Sequence, residues 1–225
     1  MVTSTADAAP ADLLERLGRV DTTSLVDAAG GRLRVLPLAL RPVRPGLRLV
    51  GRALTVDARE DLMPVLAALH QAGPGDVLVV AGHPDRAVAG ELFATEALRR
   101  GVAGIVIDGR CRDSAVLATL DLPVYARGVA PMACSARAVP VLQVPVRIGD
   151  VEVRPGDLVL GDDDGLVVGS EQEMRASIDA AETISTREQA LQRAIAAGES
   201  LFDHLNYDEH LAALRAGEDS ALRFS

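Results

Sequence analysis

The chain has no lysine and no tryptophan, and only two tyrosines, three phenylalanines and two cysteines. The missing lysine removes whole mechanisms. Schiff-base aldolases, pyridoxal-phosphate enzymes and Walker-type nucleotide sites all need a lysine amine. Every one of the 23 basic side chains is therefore arginine, and any carbanion chemistry must use a metal or hydrogen bonds as its electron sink. With so few aromatics the core must be built from Leu, Val, Ile and Ala. Cys111 and Cys134 make neither a disulfide framework nor a zinc ribbon, and read as reduced thiols of a cytosolic protein. No apolar run approaches the roughly 18 residues of a membrane helix. Residues 1–10 are small and acidic rather than basic and then apolar, so no secretory signal is visible and a cytoplasmic protein is expected. A net charge of −9 argues against a general nucleic-acid binder, which needs a basic face. The four histidines show no metalloprotease or facial-triad spacing, and no glycine-rich loop follows a first strand to hold a nucleoside cofactor.

What remains is an ordinary globular composition, 48% hydrophobic and 24% charged over 225 residues, enough for one sizeable domain with a tail. Leu13 to Ala29 reads as one or two short helices, broken at Asp21-Thr22-Thr23 and ended by Gly30-Gly31. Leu47 to Val56 alternates as a strand, with Gly51 marking a bulge or a close approach. Leu62 to Gln71 is an apolar-faced helix stopped by Gly73-Pro74-Gly75. The strand Val77 to Val80, a loop over Gly82 to Arg86, a helix from Ala87 to Arg100 and the strand Gly104 to Ile107 form a parallel crossover. A short helix from Asp113 to Leu117 leads to a strand over Leu122 to Tyr125. Short strands at Val139–Ile148, Val151–Val153, Leu158–Leu160 and Leu166–Val168 suggest a closing meander. The tail is helical: Ser170-Glu171-Gln172-Glu173 is a capping box, Gly198 is a left-handed stop, and a last helix spans Asp208 to Ala216. The fold class expected is α/β, with parallel βαβ units, a β-rich meander and a helical tail. The expected division is 1–169 and 170–225.

The best chemical cluster is Asp108-Gly109-Arg110-Cys111-Arg112-Asp113, at the carboxyl end of a buried strand, the edge where open α/β folds bind ligands. A guanidinium beside a carboxylate can hold an anion and a cation side by side. Equally, Asp108-Gly109 can be a plain turn and Asp113 a helix N-cap. In the tail, Met174, Ile178, Ala181, Ile184, Leu191 and Ile195 form one helical stripe. Glu188 interrupts that stripe on its own face. It either salt-bridges an arginine at the edge of the seam or serves a site, because a buried carboxylate needs a partner or a metal. Asp162-Asp163-Asp164-Gly165 reads as a turn between two strands or as a cation ligand.

The string Asp108 to Asp113 resembles the DGxxRD signature of the RraA-like family, which includes 4-hydroxy-4-methyl-2-oxoglutarate aldolases. Further segments resemble that family in the expected order. They are Thr23 to Ala28, Val50-Gly51 with Ala53 and Thr55, Pro74 to Val79, Gly90-Glu91, Leu122 to Gly128, Pro155-Gly156-Asp157 and Gly161 to Gly165. The resemblance covers about residues 20 to 215 and implies a swivelling β/β/α domain. It implies an enzyme of the aldolase and oxaloacetate-decarboxylase branch, in which Asp113 binds Mg²⁺ or Mn²⁺ mostly through water. Arg112 then contacts the keto oxygen of a pyruvyl group, and backbone amides around Gly90, Glu91, Leu92 and Phe93 receive the substrate carboxylate. Glu91 meets metal-bound water, Glu188 arrives from a neighbouring subunit of a homotrimer or dimer of trimers, and Arg127-Gly128 lines the same cleft. The other branch implied is a non-catalytic regulator that binds ribonuclease E. This chain departs from the signature by carrying Arg110 and Cys111, so that Arg110 either binds a second substrate carboxylate or faces solvent. Residues 129–138 are also shorter and poorer in glycine than the family pattern.

Overall fold

The computed structural model describes residues 11–224 of the chain; the acidic N-terminal stretch 1–10 lies outside them. Two compact units are present, the first ending at Ala181 and the second comprising 182–225.

In the first unit, α1 (Ala11–Leu17) and α2 (Thr22–Ala29) are separated by a turn in which Asp21 caps α2 through Ser24 N at 2.6 Å. Gly30 then ends α2 in the left-handed region, φ 56°, which costs a residue without Cβ nothing. Two-residue strands follow at β1 (Arg34–Val35) and β2 (Arg41–Pro42). The sheet centre is β3 (Leu49–Asp57), β4 (Asp76–Ala81), β6 (Gly104–Cys111) and β7 (Val124–Val129), all parallel neighbours. Between them run α3 (Met63–Gln71), the strand β5 (Ala87–Ala89) with α4 (Glu91–Arg99), and α5 (Ser114–Leu117). The closing strands are β8 (Val146–Ile148) and β9 (Val151–Val153), a hairpin of its own, then β10 (Leu158–Gly161) and β11 (Leu166–Gly169), which extend the main sheet antiparallel from β3. Among the described residues the order across that sheet is β1-β11-β10-β3-β4-β6-β7-β2. The expected α/β class, with its parallel crossovers and β-rich closure, is the architecture found.

Three apolar layers hold it together. Leu54, Val56, Leu78, Val80, Ile105 and Ile107 meet α3, α4 and α5 on one face. On the other face Val77, Val79, Val106 and Tyr125 meet the β8–β9 hairpin. Leu158, Leu160 and Val167 are covered by α1, α2 and the first turns of α6 (Glu171–Ala196). Met174, Ile178 and Ala181 on those turns are fully enclosed. The capping box starts α6 as read: Ser170 N donates to Glu173 Oε2 at 2.6 Å, and Glu173 N to Ser170 Oγ at 3.3 Å.

Four local expectations need correction. The helix read from Ala87 begins only at Glu91, because Ala87–Ala89 pairs with the end of β6 as an added parallel strand. The strand read over Gly104–Ile107 continues to Cys111, so Asp108-Gly109 is extended strand and no turn. Residues 139–145 carry Pro140 and Pro145 and meet β3 only around Thr55 and Val56, by the Leu142–Val56 bridge, Gln143 N to Thr55 O at 3.1 Å and Thr55 Oγ1 to Val144 O at 2.6 Å, leaving β8 three residues long. Gly51 marks a close approach rather than a bulge: pairing on both sides of β3 runs without a shift, and a Cβ there would collide with the Gly75 carbonyl oxygen and lie 2.8 Å from Val77.

The second unit holds the remainder of α6, a short 3-10 turn (Leu201–His204) and α7 (Tyr207–Ala216). Phe202 packs edge-on against Tyr207 with ring centroids 5.2 Å apart. Asn206 N donates to Arg223 O at 3.3 Å, drawing the last residues back beside the 3-10 turn. No helix among the described residues is long and apolar enough to cross a membrane.

Candidate active-site cleft

The end of β6 delivers Arg112 and Asp113 to the mouth of the α3–α4 layer. Arg112 N donates to Ala89 O at 3.1 Å, which stitches this end to β5 and brings the start of α4 alongside. Asp113 then takes a left-handed backbone, φ 57°, ψ 37°, a conformation costing an L-residue roughly 1–2 kcal/mol that Asp tolerates better than most. Its carbonyl oxygen accepts from Val116 N and Leu117 N and so opens α5, but its side chain does not cap that helix. The carboxylate turns instead to α4. Oδ2 accepts from Glu91 N at 3.2 Å and lies 3.3 Å from Arg112 Nε, while Oδ1 has no hydrogen-bond partner among the described residues. Asp113 is therefore the N-cap of α5 by position and backbone alone, while its carboxylate serves the N-terminus of a different helix, 22 residues earlier in the chain.

Gly90 makes this approach feasible. A Cβ at that position would strike Asp113 Oδ2 and sit 2.9 Å from Arg112 Cγ. Beyond it, α4 begins hydrogen bonding with Ala94 N to Gly90 O, so the Leu92 and Phe93 amides have no acceptor within the helix. They lie at the positive end of the α4 dipole, a fit for an anion.

Arg112, Asp113 and Glu91 stand where two lobes of one cleft meet. One lobe, about 340 Å³, is walled by Leu62, Leu66, Phe93 and Ala133. The other, about 570 Å³, is walled by Val116, Val129 and Pro131. Loop 131–135 forms part of the wall because it runs beside β5, with Ala87 N donating to Met132 O at 2.8 Å and Cys134 N to Ala87 O at 3.0 Å. Asp61, 5% exposed, anchors that loop. It accepts from Ser135 Oγ at 2.6 Å, Met63 N at 2.8 Å and Arg137 N at 2.9 Å. Burial by itself would raise its pKa, but the Ser135 hydroxyl and the surrounding amides outweigh it and hold the group at about 2. Asp61 and this loop escaped sequence reading; an acid two residues before the helix start was the available signal.

The structure thus brings Gly90, Glu91, Leu92, Phe93, Arg112 and Asp113 together, and separates others from them. Arg127 forms an ion pair with Asp108, whose Oδ2 also accepts from Gly149 N at 2.7 Å, and Arg127 lines neither lobe. Arg110 donates to the carbonyls of Pro84 at 2.8 Å and Arg127 at 3.2 Å. It is half-buried and lines neither lobe of the cleft. Cys111 and Cys134 are buried free thiols, both with pKa raised, chiefly by burial. The acid turn is consumed by the fold: Asp162 accepts from Thr22 N and Oγ1, and Asp163 from Gly46 N. Glu188 lies in the second unit, exposed rather than on a buried seam, in a groove with Ile184, Leu191 and Phe224.

The cleft can hold a hard cation in a particular way. No group of three or more His, Cys, Asp or Glu side chains converges among the described residues. The chain would supply the Asp113 carboxylate, with Glu91 beside it, and leave the remaining positions to water and ligand oxygens, a coordination suited to Mg²⁺ or Mn²⁺. The free Oδ1 of Asp113 and the space kept open by Gly90 fit that role.

A mixed sheet with helices on one face, a β-hairpin on the other and an Arg-Asp pair set against a helix N-terminus defines a small α/β protein with a cleft at its strand ends. The chain belongs to the RraA-like family: the model described as Aldolase/RraA matches residues 12–168. A curated relative from Halalkalibacterium halodurans, named "Putative 4-hydroxy-4-methyl-2-oxoglutarate aldolase", is 34% identical over 187 residues, covering 82% of this chain and 89% of that protein. An uncharacterized protein from Pseudomonas syringae has a similar solved structure, with TM-score 0.76 and 29% identity over 85% of this chain and 96% of that one. The RNA-processing inhibitor RraA from Thermus thermophilis matches with TM-score 0.62 and 30% identity over 67% of this chain and 92% of its own.

Proposed function

We propose that the cleft is the active site of a divalent-metal-dependent carbon–carbon lyase that cleaves a 4-hydroxy-2-oxo acid to pyruvate, with decarboxylation of oxaloacetate as a second reaction of the same site. The observation that carries this reading is the placement of Asp113, held in a left-handed backbone with one carboxylate oxygen on the α4 N-terminus and the other free at the lobe junction. The family membership and the name of the Halalkalibacterium relative support the same class of reaction.

In this reading the substrate carboxylate docks on the Leu92 and Phe93 amides, and Arg112 donates to the 2-keto oxygen. A cation held by Asp113 polarises that keto group when bound. A base removes the proton of the C4 hydroxyl, the C3–C4 bond breaks, and its electron pair moves to C3 to give the pyruvate enolate. Arg112 stabilises the negative oxygen, and a proton returned to C3 completes pyruvate. Glu91, at the lobe junction, is the proton carrier of this chain, and Glu188 of a neighbouring copy is the second. Arg127 has no part, since its guanidinium is engaged by Asp108. With no lysine in the chain, an imine route is closed.

The test is pyruvate release from a panel of 4-hydroxy-2-oxo acids and oxaloacetate, with chelator and after addition of Mg²⁺ or Mn²⁺. Release should vanish with chelator and return with either ion. Undiminished activity in chelator, or no release from any substrate with metal present, would leave an inhibitory role like that for which the Thermus protein is named as the better reading.

A further inference from the structure

We infer that Asp61, which lines neither lobe, is a positioning residue for substrate binding: its carboxylate clamps residues 131–138 to the start of α3 and so sets the cleft wall that the substrate meets. This rests on the lyase reading above and concerns the same cleft.

Residues 131–138 have little packing of their own. Cys134 is buried, but Met132 is 54% exposed, and Pro131 and residues 135–138 are exposed too. A strip with so few buried apolar contacts takes its place from hydrogen bonds. On one side these run to β5, through Ala87 N to Met132 O and Cys134 N to Ala87 O, and to Arg86, whose guanidinium donates to Ala133 O at 3.2 Å. On the other side they run to α3. Leu62 N donates to Ser135 O at 2.9 Å. Asp61 Oδ2 accepts from both Ser135 Oγ and Arg137 N, while its Oδ1 accepts from Met63 N. One buried carboxylate therefore serves the first amide of α3 and holds the strip against that helix.

Both of the elements it joins wall the cleft. Leu62 and Leu66 of α3 face one lobe together with Ala133, and Pro131 faces the other. An ionised carboxylate accepts at two oxygens, whereas an amide of the same size accepts at one. Replacing Asp61 by Asn therefore leaves the strip tied to α3 chiefly by the Leu62–Ser135 backbone bond. Arg112 and Asp113 are placed by other contacts, Arg112 N to Ala89 O at 3.1 Å and Asp113 Oδ2 to Glu91 N at 3.2 Å. Loss of the clamp thus weakens substrate binding and leaves the reacting groups where they are. Whatever a neighbouring copy adds to the cleft, the clamp lies within one chain.

The experiment measures initial rates of pyruvate release from 4-hydroxy-4-methyl-2-oxoglutarate with Mn²⁺, on the full chain and well below each protein's melting temperature. Wild type, Asp61→Asn, Ser135→Ala and the double variant are compared. Ser135→Ala changes an exposed residue, spares the contact with Met63 N, and carries the test alone if Asp61→Asn does not fold. In each single variant KM should rise by about tenfold, the fold-change of one hydrogen bond to a charged group. The kcat and the Mn²⁺ affinity should stay within about twofold, as for a loss of binding shared by ground and transition states. The double variant should match Asp61→Asn within about twofold, because both changes remove one clamp. A merely structural Asp61 would lower kcat with the folded fraction at unchanged KM, and that result overturns the inference. An equal fall in kcat and kcat/KM, or KM effects that multiply in the double variant, also overturns it while the lyase reading stands. No pyruvate from the wild type overturns both.

Discussion

Asp113 occupies a position where backbone and side chain make separate demands. The backbone requires the left-handed region, φ 57°, which Asn accepts as readily as Asp. The side chain puts its negative charge at the α4 N-terminus and at the lobe junction. Asp113→Asn should therefore melt within about 2 °C of the wild type, as expected for a substitution that leaves packing and backbone alone. It should bind Mn²⁺ far more weakly by calorimetric titration and lose pyruvate release by about 10²-fold or more. Normal turnover would remove Asp113 from the chemistry. Arg112→Lys keeps a charge but loses the planar fork. We expect Mn²⁺ affinity to change little and kcat to fall by about 10²-fold; an unchanged kcat would show that the guanidinium does not meet the reacting oxygen. Motif reading identified both residues; of its two readings of Asp113, the side-chain cap on α5 fails because the carboxylate turns to Glu91, a neighbour only once β5 has paired with β6.

At the scale of elements, two contacts set the cleft's frame. β3 lies against the turn before β4, and Gly51 leaves no room for a side chain there. Gly51→Ala should cost about 1–3 kcal/mol, the range for overpacking, read as a lower urea midpoint with an unchanged slope. The second contact is the anchoring of loop 131–135 by Asp61. Its folded pKa is lowered from 3.8 to about 2, so its contribution to stability is complete above about pH 5 and is lost as pH falls through the folded value. Acid titration of the melting temperature should show wild type and Asp61→Asn furthest apart near neutrality and converging between about pH 5 and 2. A gap that stays constant over that window would mean the carboxylate charge does not matter to the loop. Glu96, held at about 2 chiefly by its hydrogen bonds from Arg99 and Arg100, titrates in the same range in both proteins and cancels in the difference.

For the whole molecule, the tail helix divides the apolar stripe read from the sequence into two fates. Met174, Ile178 and Ala181 are sealed in the first unit, whereas Ile195, at 41% exposure, lies open in the second. Open apolar surface of this kind on a helix is a feature of subunit contacts, and the proposed donation of Glu188 to a neighbouring cleft requires such a contact. Light scattering should give a mass near three or six times 23.6 kDa, with Ile195→Glu lowering it and reducing pyruvate release together. A monomer at micromolar concentration with full activity would exclude a shared site.

The linear chain by itself determined the α/β class, the order of crossovers, the capped tail helix and the place of the Arg-Asp pair at a strand end. Each of these rests on local signals: apolar periodicity, glycine stops, and a polar string after a buried strand. The missing lysine also closes the imine route by composition alone. Only the tertiary structure decided which basic groups are free. Arg110 and Arg127 stand beside the signature in sequence, yet strand pairing directs one to carbonyl oxygens and the other to Asp108. It also decided that Ala87–Ala89 is a strand, since three small residues pair with β6 only because its end lies alongside them. The same holds for Asp61, Leu66 and Val129, which come from separate elements and become cleft walls, or the anchor of one, through packing. Non-local pairing leaves no periodic trace in the chain, and that is why the walls became legible last.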